Sequence, residues 1–258
     1  MHKTLTYVIN GCLFNVHNAL GNIWNEDVYE KALESEMTSQ GLSVQRQKEF
    51  EVAYFDQKVG HYRTDLLVED TVIVELKAVH RLLPLHRAQL ISYLKGFGKP
   101  LGILANFGGA SMEHATYPNK TERKKALTDQ FDFEKIQMNG KEEIKDLLLM
   151  ANRILVNLGP GYLHQIYRRA LYWELKQSGV AFETAKTVIA KYRNEKVGEK
   201  AVNFFIIGNL LLSAVAAKEL DNLIVSRFRN YIRHFHLKRG LIINFNAVHL
   251  DFRYLTVS

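Results

Sequence analysis

Apolar side chains at Leu5, Val8, Ile9, Cys12, Leu13, Val16 and Leu20 return every three or four residues. That period predicts an amphipathic helix over 5–20, stopped near Gly21. A second helix is expected over about 25–39, closed by Gly41. The pattern then changes, and stretches 48–54, 61–68 and 71–76, rich in β-branched and aromatic residues, predict strands. A helix over 86–96 and a strand over 101–106 follow, so the order of elements predicts an α/β sandwich with a mixed sheet. After Gly108-Gly109 the pattern becomes irregular and charged, and the polar stretch 121–125 reads as a linker.

The pattern starts again from a helix near Lys141. Leu20-Gly21 recurs as Leu158-Gly159, Tyr29 as Tyr167, Ala32-Leu33 as Ala170-Leu171 and Val59-Gly60 as Val197-Gly198, all at an offset of 138. Between residues 20 and 60 that offset gives twelve identities. Unrelated segments of ordinary composition would share roughly two or three. Asn106-Phe107 recurs as Asn244-Phe245. The chain therefore reads as one α/β domain present twice, over 1–125 and 126–258. Six polar positions are not shared. With one residue gained after Gly198 and lost again before the Tyr93/Tyr231 pair, His17 is matched by Leu155, Glu26 by His164 and Asp65 by Phe204. Glu75 is matched by Ala214, Lys77 by Ala216 and Gln89 by Arg227. The second copy reads as a fold kept without its polar site.

Composition adds a partner and a compartment. No apolar run approaches the roughly 18 residues of a membrane span, and the first residues lack the order of a signal peptide, so a cytoplasmic protein is expected. The single cysteine, Cys12, excludes internal disulfides and cysteine-based zinc sites, and its helical spacing marks it as core. The net charge of +7 is uneven: residues 151–258 carry 16 Lys and Arg against 7 Asp and Glu, a net +9. Residues 1–150 carry 18 against 20, a net −2. A basic domain attracts polyanions, nucleic acid foremost, although charge alone also fits a merely solvated surface.

Asp65, Glu75 and Lys77 fall on consecutive predicted strands joined by Glu69-Asp70-Thr71. Alternation puts Glu75 and Lys77 on one face and turns Leu76 to the core. Asp65 lies opposite Glu75 only if the connecting loop has three residues. Two carboxylates on neighbouring strands repel unless a cation lies between them, and an all-oxygen pair suits Mg²⁺ or Mn²⁺. A lysine beside them can orient or deprotonate a water while the metal lowers that water's pKa. An acidic-x-Lys step is commonly just a solvated strand edge. Here it interrupts the apolar run Val72-Ile73-Val74-Glu75-Leu76-Lys77-Ala78-Val79, where charges are costly unless a site uses them.

Tyr62-Arg63-Thr64-Asp65-Leu66-Leu67-Val68-Glu69 followed by Ile73-Val74-Glu75-Leu76-Lys77-Ala78 resembles the central motif of the PD-(D/E)XK nuclease superfamily, and specifically its bacterial GxxExxY proteins. The likeness takes in Val16-His17 with Leu20-Gly21, Glu26 with Tyr29-Glu30 and Ala32-Leu33, Gln89 with Tyr93-Leu94, and Leu104 with Asn106-Phe107-Gly108. It covers 5–108 and, in degenerate form, about 145–255. It implies two tandem PD-(D/E)XK-like domains, each a mixed sheet flanked by helices, and metal-dependent cleavage of nucleic acid, with DNA favoured. It also implies that Asp65 and Glu75 bind Mg²⁺ or Mn²⁺, that Lys77 serves the attacking water, and that Glu26 adds a metal contact or orients the water. Gln89 and Tyr93 resemble a QxxxY element in which the glutamine holds substrate or Lys77. One departure stands out: Gly21-Asn22-Ile23-Trp24-Asn25-Glu26 replaces the usual Gly-Pro-Gly-Phe-Leu-Glu, while the second copy keeps Gly159-Pro160-Gly161.

Further substrate contacts are expected at Arg63, Tyr93, Lys95 and Arg227, and at His17, which reads equally as a histidine at a helix end. His80, His86 and His114 read as surface histidines, and Trp24, Tyr162 and Trp173 as packing residues on helices. Two functions remain open: a nuclease whose first copy cuts, or a catalytically silent nucleic-acid-binding or scaffolding protein. The second copy is expected to pair with the first as an intramolecular pseudo-dimer, gripping nucleic acid or serving structure alone.

Overall fold

The computed structural model describes residues 2–120, 133–246 and 249–257. The linker expected at 121–125, and with it the expected 125/126 boundary, lies outside them. The described residues divide into two compact units, one of 2–52, 60–120 and 161–163, the other of 53–59, 133–160, 164–246 and 249–257. None of the described helices is long and apolar enough to cross a membrane.

Unit 1 opens with helices α1 (His2–Leu20) and α2 (Glu26–Ser39). A five-stranded sheet follows, ordered β1 (Val44–Arg46), β4 (Leu66–Val68), β5 (Val72–Lys77), β6 (Leu101–Asn106) and β7 (Glu113–Pro118). β5 and β6 are parallel and the other pairs antiparallel. Strands β2 (Glu49–Tyr54) and β3 (Gln57–Arg63), whose residues 53–59 count with the other unit, form a separate two-stranded ribbon, and α3 (Pro84–Phe97) crosses between β5 and β6. Ile9, Leu13 and Val16 of α1 and Tyr29, Leu33 and Met37 of α2 form one core with Val72, Val74 and Leu76 of β5 and Ile103, Ala105 and Phe107 around β6. The other face of the sheet takes α3, whose Leu90 fits where Gly102 has no side chain: a Cβ there would lie 2.7 Å from Leu90 Cδ1.

Unit 2 repeats the plan with α4 (Lys145–Leu158), α5 (His164–Gln177), β8 (Glu183–Tyr192), β9 (Glu195–Ile207), β10 (Leu210–Val215), α6 (Asn222–His234), β11 (Arg239–Asn244) and β12 (Asp251–Thr256). Its sheet order is β12-β11-β10-β9-β8, with β10 and β11 parallel. Paired details recur at the sequence offset. Tyr29 Oη donates to Gly21 O at 2.8 Å and stacks on Phe107 at 4.4 Å; Tyr167 Oη donates to Gly159 O at 2.7 Å and stacks on Phe245 at 4.8 Å.

The structure corrects several expectations. Stretch 61–68 is not one strand but β3 and β4, broken at Thr64-Asp65. In unit 2 the matching strand β9 runs unbroken through Phe204, whose ring packs near Phe228 and Tyr231 of α6. The break therefore goes with the acidic residue. The three-residue turn is present: Leu66 pairs with Val74 and Val68 with Val72, and Glu69 and Asp70 take φ of 51° and 47°. In unit 2 Ile207 pairs with Leu210 across only Gly208-Asn209. The residue gained after Gly198 is thus lost again in this turn, which shifts the match between copies. Glu75 corresponds to Ser213 and Lys77 to Val215, not to Ala214 and Ala216. Phe107 N donates to Lys77 O at 2.7 Å, as Phe245 N does to Val215 O at 2.9 Å. The short strand β1 and the half-buried edge strand β7, with little apolar alternation, escaped the sequence pattern. Trp24 and Tyr162 lie between helices rather than on them.

Asn106 is fully buried, and its Oδ1 accepts from Val79 N at 3.0 Å and Gly108 N at 3.2 Å. Asn244 does the same for Ala217 N and Asn246 N. This clamp ties the carboxyl ends of the two parallel strands in each unit. Asn106→Ala is expected to cost about 2 kcal/mol, because buried N–H groups lose their acceptor. Denaturant unfolding checks this: an unchanged midpoint would show that the clamp is dispensable.

Candidate active site

The break at Thr64-Asp65 gives Asp65 its place. Its Oδ2 accepts from Leu76 N at 2.6 Å, a donor on the neighbouring strand. Glu75 and Lys77 project from the face of β5 opposite the core that Val74 and Leu76 enter, and both are buried, 1% and 8% exposed. Lys77 Nζ donates to Glu75 Oε1 at 2.8 Å and to Leu76 O at 2.7 Å. It stands 3.8 Å from Glu26 Oε2, while Glu26 Oε1 accepts from Ala78 N at 3.3 Å. Glu26 is the first residue of α2. Its loop is held by Tyr29 Oη, which donates to Gly21 O and accepts from Trp24 N at 3.2 Å. Ile23 is 78% exposed in that loop, whereas its counterpart Gly161 sits at φ 112°, a region closed to isoleucine. The two loops therefore differ in backbone.

The electrostatics follow from burial. Burial pushes the Asp65 carboxyl up to about 6, against the opposing pull of Leu76 N–H and Lys77. Burial and then the charge of Asp65 push Glu75 up to about 8. Burial draws the Lys77 ammonium down, but the charges of Glu75, Asp65 and Glu26 outweigh it and the net shift is upward. Three acids and one cation thus share a partly dry site with negative charge in excess.

The donor set fits a hard divalent cation. Glu75 Oε2 is buried and has no hydrogen-bond partner among the described residues. That orphaned acceptor beside a second carboxylate is what a cation would satisfy. Among the described residues no three His, Cys, Asp or Glu side chains form a ready metal cluster. Glu26 is engaged instead with Lys77 and Ala78 N. Mg²⁺ commonly takes only one or two carboxylates and keeps its waters.

The remaining residues divide. Gln89 Nε2 donates to Tyr93 Oη at 2.8 Å on α3. Burial, and then the charge of Glu75, holds the Tyr93 phenol up at about 12, so the pair belongs to the cluster's surroundings. Lys95 of α3 is half-buried with its Nζ 4.6 Å from the centre of the Tyr162 ring, and burial lowers it to about 7. Arg63 is exposed at the end of β3, and Arg227 is exposed on α6 of unit 2. His17 Nε2 is buried without a partner among the described residues, near Phe107. Of the three histidines expected at the surface, His80 is exposed; His86, whose Nδ1 accepts from Leu83 N, and His114 are half-buried. Asn106, whose clamp holds the ends of the strands beside the cluster, was missed as a structural residue, although its recurrence as Asn244 was the signal.

The PD-(D/E)XK nuclease superfamily matches residues 3–117 and again 141–255. No curated protein matches. A solved structure described as the crystal structure of SSO0001 is similar at 20% identity and a TM-score of 0.29, over 36% of this chain and 48% of its own. With both halves matched, and with an acid at the strand break facing a Glu-x-Lys strand, the chain belongs to the PD-(D/E)XK nuclease superfamily, carrying the domain twice.

Proposed function

We propose that the first copy is a divalent-metal-dependent nuclease acting on nucleic acid, DNA by preference, and that the basic second copy binds polyanion without cutting. The observation that carries this reading is the convergence of Asp65, Glu75, Lys77 and Glu26 on the end of one buried strand. Asp65 and Glu75 would hold Mg²⁺ or Mn²⁺, which supplies charge to offset that of a phosphate oxygen and lowers the pKa of a bound water. Lys77 directs an N–H toward the attacking water and the phosphate. Glu26 fixes Lys77, and the clamp of Tyr29 on its loop gives a physical reason for the E-x-x-Y spacing of the GxxExxY proteins. Gln89 and Tyr93 border the site as substrate contacts. In unit 2 the corresponding positions hold Phe204, Ser213 and Val215, which leaves no carboxylate pair. That unit exposes Arg227 and Arg233 on α6, in keeping with a gripping role.

The test is cleavage of labelled single- and double-stranded DNA and RNA with Mg²⁺, Mn²⁺ or EDTA, comparing wild type with Lys77→Ala. Metal-dependent cutting that falls about 10²-fold or more in the variant is expected. Wild type and variant equally inert, yet binding nucleic acid with an affinity that falls steeply as salt rises, would establish the silent binding protein instead.

A further inference from the structure

Unit 1 holds a second feature that the carboxylate cluster does not use. A cleft of about 490 Å³ is walled by Phe14 of α1, by His80 beyond β5, by the loop 109–112 and by Glu113 and His114 of β7. None of Glu26, Asp65, Glu75 or Lys77 lines it, yet the two are joined through short stretches of backbone. His80 lies three residues past Lys77, at most about 11 Å of chain. Gly108 approaches the 78–79 peptide so closely that a Cβ would stand 2.4 Å from Val79 N, and Ala78 N is the donor to Glu26. Asn22, in the turn that leads to Glu26, donates to Gly109 O at 2.9 Å. His114 pairs with the core-facing Ala105, so the cleft lies on the α1 face of the sheet and Glu75 and Lys77 on the other, and the way from one to the other runs around the carboxyl ends of parallel strands β5 and β6, where open α/β sheets take ligands.

Its chemistry is specific. Phe14 is 43% exposed and meets His114 edge to face, with ring centroids 5.5 Å apart. His114 Nδ1 is buried without a hydrogen-bond partner among the described residues. The volume lies in the range of small-ligand pockets. An aromatic platform, an unsatisfied imidazole nitrogen and a second imidazole at His80 suit a flat heteroaromatic ring with a polar edge. A base within a duplex withholds its face and its pairing edge; an unpaired base offers both. The second copy, without the carboxylates, has Asn152, Lys218 and Phe252 at the positions of Phe14, His80 and His114. The offset there is fixed by the matching Asn106 and Asn244 clamps. The three residues that wall the cleft and the carboxylates thus differ together between the copies.

We propose that this cleft takes an unpaired nucleotide of a strand that runs around the ends of β5 and β6 to the carboxylates, so that the substrate is single-stranded nucleic acid or the unpaired end of a duplex. The proposal rests on the nuclease reading. It is tested on the full chain in EDTA, by titrating fluorescein-labelled single strands of DNA and of RNA and a DNA duplex, with wild type, Phe14→Ala and Phe14→Trp. Wild type is expected to hold a single strand more tightly than the duplex. Phe14→Ala should weaken single-strand binding about tenfold or more, with duplex binding and the thermal midpoint unchanged, and Phe14→Trp should retain it. The stronger of the DNA and RNA arms names the sugar. Equal single-strand affinity in Phe14→Ala and wild type, or tighter binding of the duplex, overturns the proposal. Cleavage with Mn²⁺, read separately, distinguishes the two failures. A wild type that binds through Phe14 and never cuts sinks the nuclease and spares the cleft. A Phe14→Ala variant that binds and cuts single strands as wild type does sinks the cleft and spares the nuclease.

Discussion

Asp65→Asn is expected to leave the protein folded and to lower metal-dependent cleavage by about 10³-fold or more. The amide keeps an oxygen that can accept from Leu76 N, the 2.6 Å bond that replaces ladder pairing at the break between β3 and β4. What it removes is charge. Losing one of two carboxylates that would hold the metal forfeits several kcal/mol of charge stabilisation, and each 1.36 kcal/mol is tenfold in rate. The same substitution relieves a cost, because the metal-free fold half-buries Asp65 beside Glu75 and pushes its carboxyl up to about 6. Asp65→Asn is therefore expected to stabilise the metal-free protein by about 1–2 kcal/mol at neutral pH. Cleavage kinetics beside urea unfolding in EDTA check both halves. A variant that cuts at the wild-type rate removes Asp65 from the site, and one that is inactive because it is unfolded removes the isosteric argument.

The duplication and the Glu75-x-Lys77 strand were legible because both are local. A charged pair inside Val72–Lys77 breaks an otherwise apolar run, and the chain returns the same spacings 138 residues later. The pairing that sets Asp65 opposite Glu75 was also readable, since a loop of three residues fixes register by counting. The match of Glu75 and Lys77 to the second copy was not. It depended on whether a single extra residue was lost in the turn or further on, and Gly208-Asn209 resembles an ordinary strand end until its pairing is seen.

Long-range polar geometry was the least readable part. That Glu26 accepts from Ala78 N while facing Lys77 follows from the meeting of α2 with β5, 52 residues apart, and no periodicity encodes it. Asn106 looked like one more strand residue, although its amide joins two strand ends. The cleft by Phe14 was invisible for the same reason: Phe14, His80 and His114 come from three elements and share no spacing. His114 read as surface because a lone histidine in an irregular segment carries no pattern, and β7, which half-buries it, has too little apolar alternation to announce itself.

Without metal, the protein is expected to lose stability as pH rises from about 5 to about 8.5, and Mn²⁺ is expected to cancel most of that loss. Burial holds Asp65 at about 6 and Glu75 at about 8 in the folded state. In an unfolded chain such groups titrate near about 3.9 and 4.3. Across the window between, the folded protein keeps protons that the unfolded chain has released, so the slope of stability against pH is negative. The contribution is fully present below about pH 4 and gone once pH passes the folded value of Glu75. Lys77 does not enter, because its shift is upward from an already alkaline value and its stabilisation is lost only at higher pH. The expected loss is on the order of 5 kcal/mol. A divalent cation binds the carboxylates only once the protons have left, so its affinity grows over the same range and its stabilisation opposes the loss. Urea midpoints across that range, in EDTA and in Mn²⁺, give the two curves, and the difference between wild type and Glu75→Gln isolates the site from other titrating groups. A metal-free wild type that runs parallel to Glu75→Gln, or an Mn²⁺ curve that follows the EDTA curve to the alkaline end, would show that the two acids do not share a buried cation site.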